Sequence, residues 1–267
     1  MVYTKIKSYS KINLALNIIG KNSSLHKIES IISFLDLHDE ILIKDTKNKH
    51  HKIKFIGKFS NNINSNNTVS KLFDIINKKK LLKNTKFEVI IKKNIPSKAG
   101  LGGGSMNAAS IFKYLINKRL IKVSKKEIYK ICFLIGSDVI LGMYSNNLIL
   151  KSNNKIKEFL TKTEIFTLIV KPNFGCSTKK IYSKVKRFKK SMFNKPSKSM
   201  FNLSFLKKME NDLELIALDE YTKLNTLKKF LEKLYKVEFV RMTGSGSAII
   251  AYFKSYKMCK EAEKKVK

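Results

Sequence analysis

Apolar residues alternate loosely from Ile6 to Ile19, with Ile12, Leu14, Leu16 and Ile18 on one face, which predicts a strand. Further strands are predicted over Ile28–Leu37 and Glu40–Ile43, with His38-Asp39 as the turn between them, and over Ile53–Phe59. After the polar loop Ser60–Asn67, Thr68 is placed to cap a helix carrying Val69, Leu72, Phe73, Ile75 and Ile76. A strand over Phe87–Ile91 ends before Pro96, and Ala108, Ala109, Ile111, Phe112, Leu115 and Ile116 then fall at helical spacing. Ser124 with Glu127 three residues on reads as a capping box opening the next helix. From Phe166 a second unit is predicted: strand Phe166–Val170, helices around Leu203–Leu218 and Leu224–Tyr235, strands Val237–Met242 and Ala248–Phe253, and a terminal helix. Two halves of mixed strand and helix make this an α+β chain with a cleft expected between lobes.

The 267 residues are enough for a large core, and 43% hydrophobic content excludes disorder for most of the chain. No apolar run approaches the roughly 18 residues of a membrane-spanning helix. The opening MVYTKIKSYSKINLALN breaks its apolar run at Asn13 and lacks a small-residue cleavage site, so it does not read as a signal peptide. Cys132, Cys176 and Cys259 are odd in number and far apart, which argues against a disulfide framework or a metal knuckle. A soluble, cytoplasmic protein is expected.

The net charge of +35 invites a nucleic-acid reading. The basic residues are nearly all lysine, however, with only Arg119, Arg187 and Arg241 offering the guanidinium that base readout favours. Lysines spread along the whole chain fit solvated faces better than a nucleic-acid footprint. One segment is denser: Lys179–Lys198 holds nine basic residues and no acid, and repeats SMFN at Ser191–Asn194 and Ser199–Asn202. It reads as a flexible loop lengthened by duplication, able to concentrate an anionic substrate.

Chemistry concentrates in a few places. Gly100, Gly102, Gly103 and Gly104 lie between a strand and a helix, where backbone N–H groups can approach a phosphate. Ser105 is expected at the helix cap. The loop is neither a Walker A motif nor a GxGxxG fingerprint, and a plain glycine-rich turn is the alternative. A second turn, Thr243-Gly-Ser-Gly-Ser247, is equally open to being a tight hairpin. Asp138 sits in the apolar run Leu134–Ile140, and a carboxylate there either caps a helix or performs chemistry. Lys11 is likewise unusual in an apolar strand. His26, His38, His50 and His51 have no metal-site spacing, and the His50-His51 pair is expected to be solvated.

Taken together, these segments resemble the GHMP small-molecule kinases. PSKAGLGGGSMNAAS is similar to the family's ATP-phosphate loop and MTGSGSAIIAYF to its carboxy-terminal glycine motif. SKINLALNIIG, the segment from Leu25 to Leu37, GSDV at Gly136 and NDLE at Asn211 resemble the branch that phosphorylates cytidine-diphosphate-linked methylerythritol in isoprenoid precursor synthesis. The resemblance implies a two-lobed fold: residues 1–160 as a ribosomal-protein-S5-like lobe with the ATP loop, and 161–267 as a ferredoxin-like lobe. ATP phosphates, with Mg²⁺, would lie on Pro96-Ser97-Lys98-Ala99-Gly100-Leu101-Gly102-Gly103-Gly104-Ser105-Met106. By the same resemblance Asp138 is the catalytic base and Lys11 its partner. His26 would contact cytosine, Asn13 the methylerythritol end, and Thr178 and Tyr182 the cytidine side. The substrate is a small molecule, with no specific nucleic acid or membrane partner implied.

The chain departs from the family at two points. Ser24-Leu25-His26 stands where Gly-Tyr-His is usual, and loss of a stacking ring is worth roughly 1–3 kcal/mol. Met106 replaces a second serine, leaving Ser105 as the hydroxyl at the helix start. The competing readings are a homoserine- or mevalonate-type GHMP kinase, or a basic RNA-binding protein. The first is opposed by Lys11–Asn13 and His26. The second leaves the glycine loop and Asp138 unexplained.

Overall fold

A computed structural model describes residues 2–22, 25–61, 63–160 and 165–266. Ser24 of the Ser24-Leu25-His26 departure lies outside the described residues, and the expected lobe boundary at 160/161 adjoins residues 161–164, which also do. The chain divides into two compact units: Met1–Lys11, Phe34–Ser97 and Gly102–Ser145, and then Ile12–Ser33, Lys98–Leu101 and Asn146–Lys267. Two long strands, β1 (Thr4–Lys21) and β2 (His26–Thr46), pair with each other and contribute residues to each unit.

In the first unit, β2 pairs antiparallel with β4 (Lys86–Lys92) from Glu40↔Lys92 to Thr46↔Lys86. Strand β3 (Lys52–Ile56) lies parallel to β4. Phe87, Val89 and Ile91 alternate inward along β4, as a period of two requires. They meet the apolar faces of α1 (Thr68–Lys78), α2 (Gly103–Asn117) and α3 (Lys125–Ile135), with Phe73, Ile111, Phe112, Leu115 and Ile131 at the centre. The Ser124–Glu127 capping box opens α3 as expected. Helix α1 is capped by Asn67 in a box with Ser70, which makes Thr68 the first helical residue rather than the cap.

The second unit holds β5 (Asn147–Leu150), which pairs with β2 at Ser30–Ile32 and with β6 (Ile156–Phe159). A separate antiparallel sheet runs in the order β7 (Phe166–Val170), β9 (Ile249–Phe253), β8 (Phe239–Met242). Helices α4 (Thr178–Ser183), α5 (Leu203–Lys207), α6 (Glu214–Glu220), α7 (Thr222–Glu232) and α8 (Tyr256–Val266) complete it. Leu213, Ala217, Leu224, Leu231, Met242, Ile249 and Phe253 form its core.

Several expectations are corrected. His38-Asp39 is not a turn, and β2 runs straight through it. Buried Asp39 finds its partners without one: it pairs with the Lys93 ammonium and accepts from Asn94 N, Ile95 N and Asn107 Nδ2 at 2.7–3.0 Å. Strand β3 stops at Ile56 because Gly57 turns the chain at φ +93°. The helix expected over Leu203–Leu218 is broken, since residues 210–212 dock against β1. Leu16 N donates to Glu210 O at 3.0 Å and Asp212 N to Leu16 O at 2.9 Å. His51 is half-buried rather than solvated; it stacks on Phe73 at 4.2 Å and accepts from Phe87 N at 3.1 Å. The basic segment read as a flexible loop carries most of α4 and is tied down beyond it, where Lys189 N donates to Ile18 O at 2.8 Å and its ammonium pairs with Asp212 at 2.7 Å. Among the described residues no helix is long and apolar enough to cross a membrane.

Candidate active site

The glycine loop is pegged by its two buried side chains, Ala99 and Leu101. Between them Gly100 (φ +75°) faces Thr243, whose carbonyl oxygen would stand 2.0 Å from a Cβ at position 100. Ser247 N and Ala248 N donate to Lys98 O and Ala99 O at 3.1 and 3.2 Å. The second glycine motif is therefore the neighbour of the first, more than a hairpin turn.

Gly102, left-handed at φ +72°, is the N-cap of α2. Ser105, expected at the cap, is instead the third helical residue, because the glycine conformation starts the helix earlier. Helix geometry leaves the N–H groups of Gly103, Gly104 and Ser105 without intrahelical acceptors at the positive end of fifteen helical residues. Such an end favours a negative charge. Thr68 Oγ1, at the start of α1, donates to Gly104 O at 2.6 Å and braces the turn.

Lys11 is the floor of this helix start. A Cβ on Gly102 would lie 2.9 Å from Lys11 Cγ and 3.1 Å from Cε, so the lysine stem packs against the glycine backbone. Its Nζ lies 3.3 Å from Asp138 Oδ2. The Lys11 side chain is 4% exposed and that of Asp138 38%, which buries the cation and leaves the carboxylate accessible. Asp138 stands at the start of a 3₁₀ turn, Val139–Met143, and makes no side-chain cap bond there. Buried Val139 and Leu141 pull this turn onto α2, and a Cβ on Gly142 would meet Ala109 Cβ at 2.5 Å. Of the two readings of Asp138, the ion pair with Lys11 displaces the helix cap.

Beneath the loop, the Asp39–Lys93 pair holds the chain just before Pro96. Lys93 Nζ lies 3.3 Å from where a Gly103 Cβ would be. The pair's one signal in the sequence is an acid between two strand-like runs, at the residues that read locally as a turn.

The residues expected on the substrate side lie in the second unit. Asn13 donates through Nδ2 to Ser30 Oγ at 2.8 Å and through its backbone to Thr243 Oγ1 at 3.0 Å. His26 opens β2 and packs against Tyr182, with ring centroids 5.1 Å apart and tilted by 41°. Burial, reinforced by the charge of Lys21, holds its pKa below the ordinary value. Thr178, at the start of α4, shares a 2.8 Å hydrogen bond with Ser245. Leu25 is 52% exposed. Sequence reasoning missed Ser30 and also Phe188, whose ring lies 6.4 Å from that of His26, and it named Thr243 only as the first residue of the second glycine turn. Asn211 was noticed only as part of NDLE; its Nδ2 donates to Met242 O and Gly244 O, both at 2.8 Å.

Comparison with known proteins gives these features a context. The model described as GHMP kinases N terminal domain matches residues 67–146, which include the glycine loop and Asp138. A 4-diphosphocytidyl-2-C-methyl-D-erythritol kinase of Pelagibacter ubique (strain HTCC1062) is 56% identical, over 97% of this chain and 92% of the relative. One from Clostridium tetani (strain Massachusetts / E88) is 34% identical, over 93% and 90%. Among solved structures, a 4-(cytidine 5'-diphospho)-2C-methyl-D-erythritol kinase superposes with a TM-score of 0.79 at 18% identity, covering 98% of this chain and 95% of that one. A homoserine kinase from Cytophaga hutchinsonii gives 0.70 at 16%, covering 99% and 90%. At such identities the two structures establish the GHMP kinase fold. The two relatives, similar over nearly their whole length, go further: the chain belongs to the 4-diphosphocytidyl-2-C-methyl-D-erythritol kinase family of the GHMP kinases.

Proposed function

We propose that this chain transfers the γ-phosphoryl group of ATP to the 2-hydroxyl of 4-diphosphocytidyl-2-C-methyl-D-erythritol, a step in making isoprenoid precursors without mevalonate. The Lys11–Asp138 pair at the amino end of α2 carries the reading: an accessible carboxylate held by a buried cation, beside free helix amides.

The hydroxyl oxygen attacks the γ-phosphorus, and the bond to the β,γ-bridging oxygen breaks, releasing ADP. Asp138 accepts the hydroxyl proton. Lys11 holds the carboxylate oriented, and its positive charge stabilises the electron density gathering on the transferred group. The amides of Gly103, Gly104 and Ser105 hold the nucleotide phosphates. Such catalysis is positioning and electrostatics, which explains why the lysine is packed rather than mobile.

Among the described residues no three His, Cys, Asp or Glu side chains cluster as a metal cage. Mg²⁺ is ordinarily held by one or two protein ligands and the nucleotide phosphates, and the Ser105 hydroxyl with a carboxylate suits that pattern. When bound, the ion would neutralise phosphate charge.

On the substrate side, His26 reads the cytosine edge, Tyr182 supplies a stacking face, Thr178 completes the cytidine contacts, and Asn13 takes the methylerythritol end. ATP consumption measured against a panel of alcohols tests the assignment. Turnover is expected with the diphosphocytidyl substrate and not with homoserine or mevalonate; preference for either of these overturns it.

A further inference from the structure

The basic segment after α4 is bound to the second unit at successive points. Lys184 pairs with Glu220, and Lys189 N donates to Ile18 O at 2.8 Å. The Lys189 ammonium reaches Glu210 at 2.6 Å and Asp212 at 2.7 Å. Beyond it, the wholly buried Glu29 carboxylate takes Ser191 Oγ at 2.7 Å, Met192 N at 2.7 Å and Phe193 N at 3.1 Å, with Asn17 Nδ2 at 3.0 Å as a fourth donor. Four neutral donors offset the cost of burying that charge, and two of them are backbone groups of the segment itself. Phe193, in the first copy of the SMFN duplication, is fully buried and pegs this end.

Phe188 lies between these anchors and is 50% exposed. Singly exposed apolar residues are ordinary. This one, however, has its backbone pinned on its C-terminal side and its ring against His26, tilted by 51°. Tyr182 meets the same imidazole at 41°. Two aromatic rings thus meet one histidine at the start of β2.

We infer that Phe188 is a second stacking ring of the cytidine subsite, standing in for the aromatic absent at Leu25, and that Glu29 is the positioning residue that latches its strap; the inference rests on the phosphorylation reading above. A pyrimidine has a face for each ring and an edge for the imidazole. Held neutral, His26 offers one donor and one acceptor to that edge. Lys186, Arg187 and Lys190, exposed and close to Phe188 along the chain, favour a diphosphate. The strap is where the chain's local excess of positive charge and a buried carboxylate unused by catalysis acquire a role.

The test combines steady-state kinetics with calorimetric titration of cytidine diphosphate, using wild type, Phe188→Ala, Phe188→Tyr and Glu29→Gln. Phe188→Ala should raise KM for the diphosphocytidyl substrate, and Kd for cytidine diphosphate, about tenfold, with kcat and KM for ATP unchanged; Phe188→Tyr should restore both. Glu29→Gln should move the same two constants in the same direction. Its fold is checked by thermal melting, and Phe188→Ala decides the matter if that variant is unstable. Kd and KM within twofold of wild type in Phe188→Ala, or an equal rise in KM for ATP, overturns the inference. Absence of wild-type turnover refutes the phosphorylation reading instead, while the titration still reads whether Phe188 grips the nucleotide.

Discussion

Gly102 and Lys11 are fitted to each other: the lysine stem fills the space a side chain at position 102 would need, so that Nζ projects to Asp138. The glycine serves two purposes there. It supplies the left-handed turn at φ +72° that opens α2, and it makes room for the cation beneath the glycine loop.

Gly102→Ala is accordingly expected to cost more in catalysis than in folding. The left-handed alanine should destabilise by about 1 kcal/mol, while displacement of Lys11 lowers kcat. Lys11→Met, which keeps much of the stem but not the charge, should lower kcat about 100-fold with little change in KM for ATP. Urea unfolding and steady-state kinetics on the two variants check this. A Lys11→Met enzyme within threefold of wild-type kcat removes the lysine from the mechanism.

The buried Asp39–Lys93 pair supports the same loop from below. Asp39→Asn leaves a buried ammonium unpaired, and such losses typically cost about 3–5 kcal/mol. Denaturant titration is expected to show a loss of that size. A change below 1 kcal/mol would mean that the neighbouring hydrogen bonds suffice without the charge.

His51 gives stability a pH dependence. Its Nδ1 accepts from Phe87 N, so Nε2 carries the proton toward Asn77 Oδ1 at 3.3 Å. Burial, its largest influence, pushes the pKa below the ordinary 6.5. The folded state then binds fewer protons than the unfolded chain in the window just below pH 6.5, so stability falls as pH falls through it. His51→Phe should flatten that part of the Tm-against-pH curve relative to wild type. An unchanged slope assigns the effect to another group.

The net charge of +35 predicts weak nucleic-acid binding without sequence preference and with a steep salt dependence. Electrophoretic or fluorescence titrations should lose the complex well before about 0.5 M salt. A complex that survives there, or that separates sequences strongly, would point to a recognition surface of a different kind.

Local patterns gave most of the elements, including β1, β4, β7 and the capping box of α3, since alternation and caps are written in neighbouring residues. Asp39 and the break before α6 were misread for one reason. Their partners lie far along the chain, Lys93 and Asn107 in the first case and Leu16 in the second. Long-range satisfaction of a polar group leaves no local trace. The glycine loop and Asp138 stood out because glycines at that density and an acid in an apolar run are locally costly. Glu29 and Phe188 did not, because a glutamate in a strand and a phenylalanine among lysines are individually commonplace.

The proposed mechanism turns on Asp138 taking the proton of the attacking hydroxyl while Lys11 holds it in place. The most direct measurement is single-turnover phosphoryl transfer from ATP to the diphosphocytidyl substrate by Asp138→Asn, under conditions where nucleotide binding is shown to be retained. Asparagine keeps the shape but cannot accept the proton, so the rate should fall about 10²–10⁴-fold with ATP affinity nearly unchanged. A variant that transfers phosphate at more than a tenth of the wild-type rate contradicts the claim.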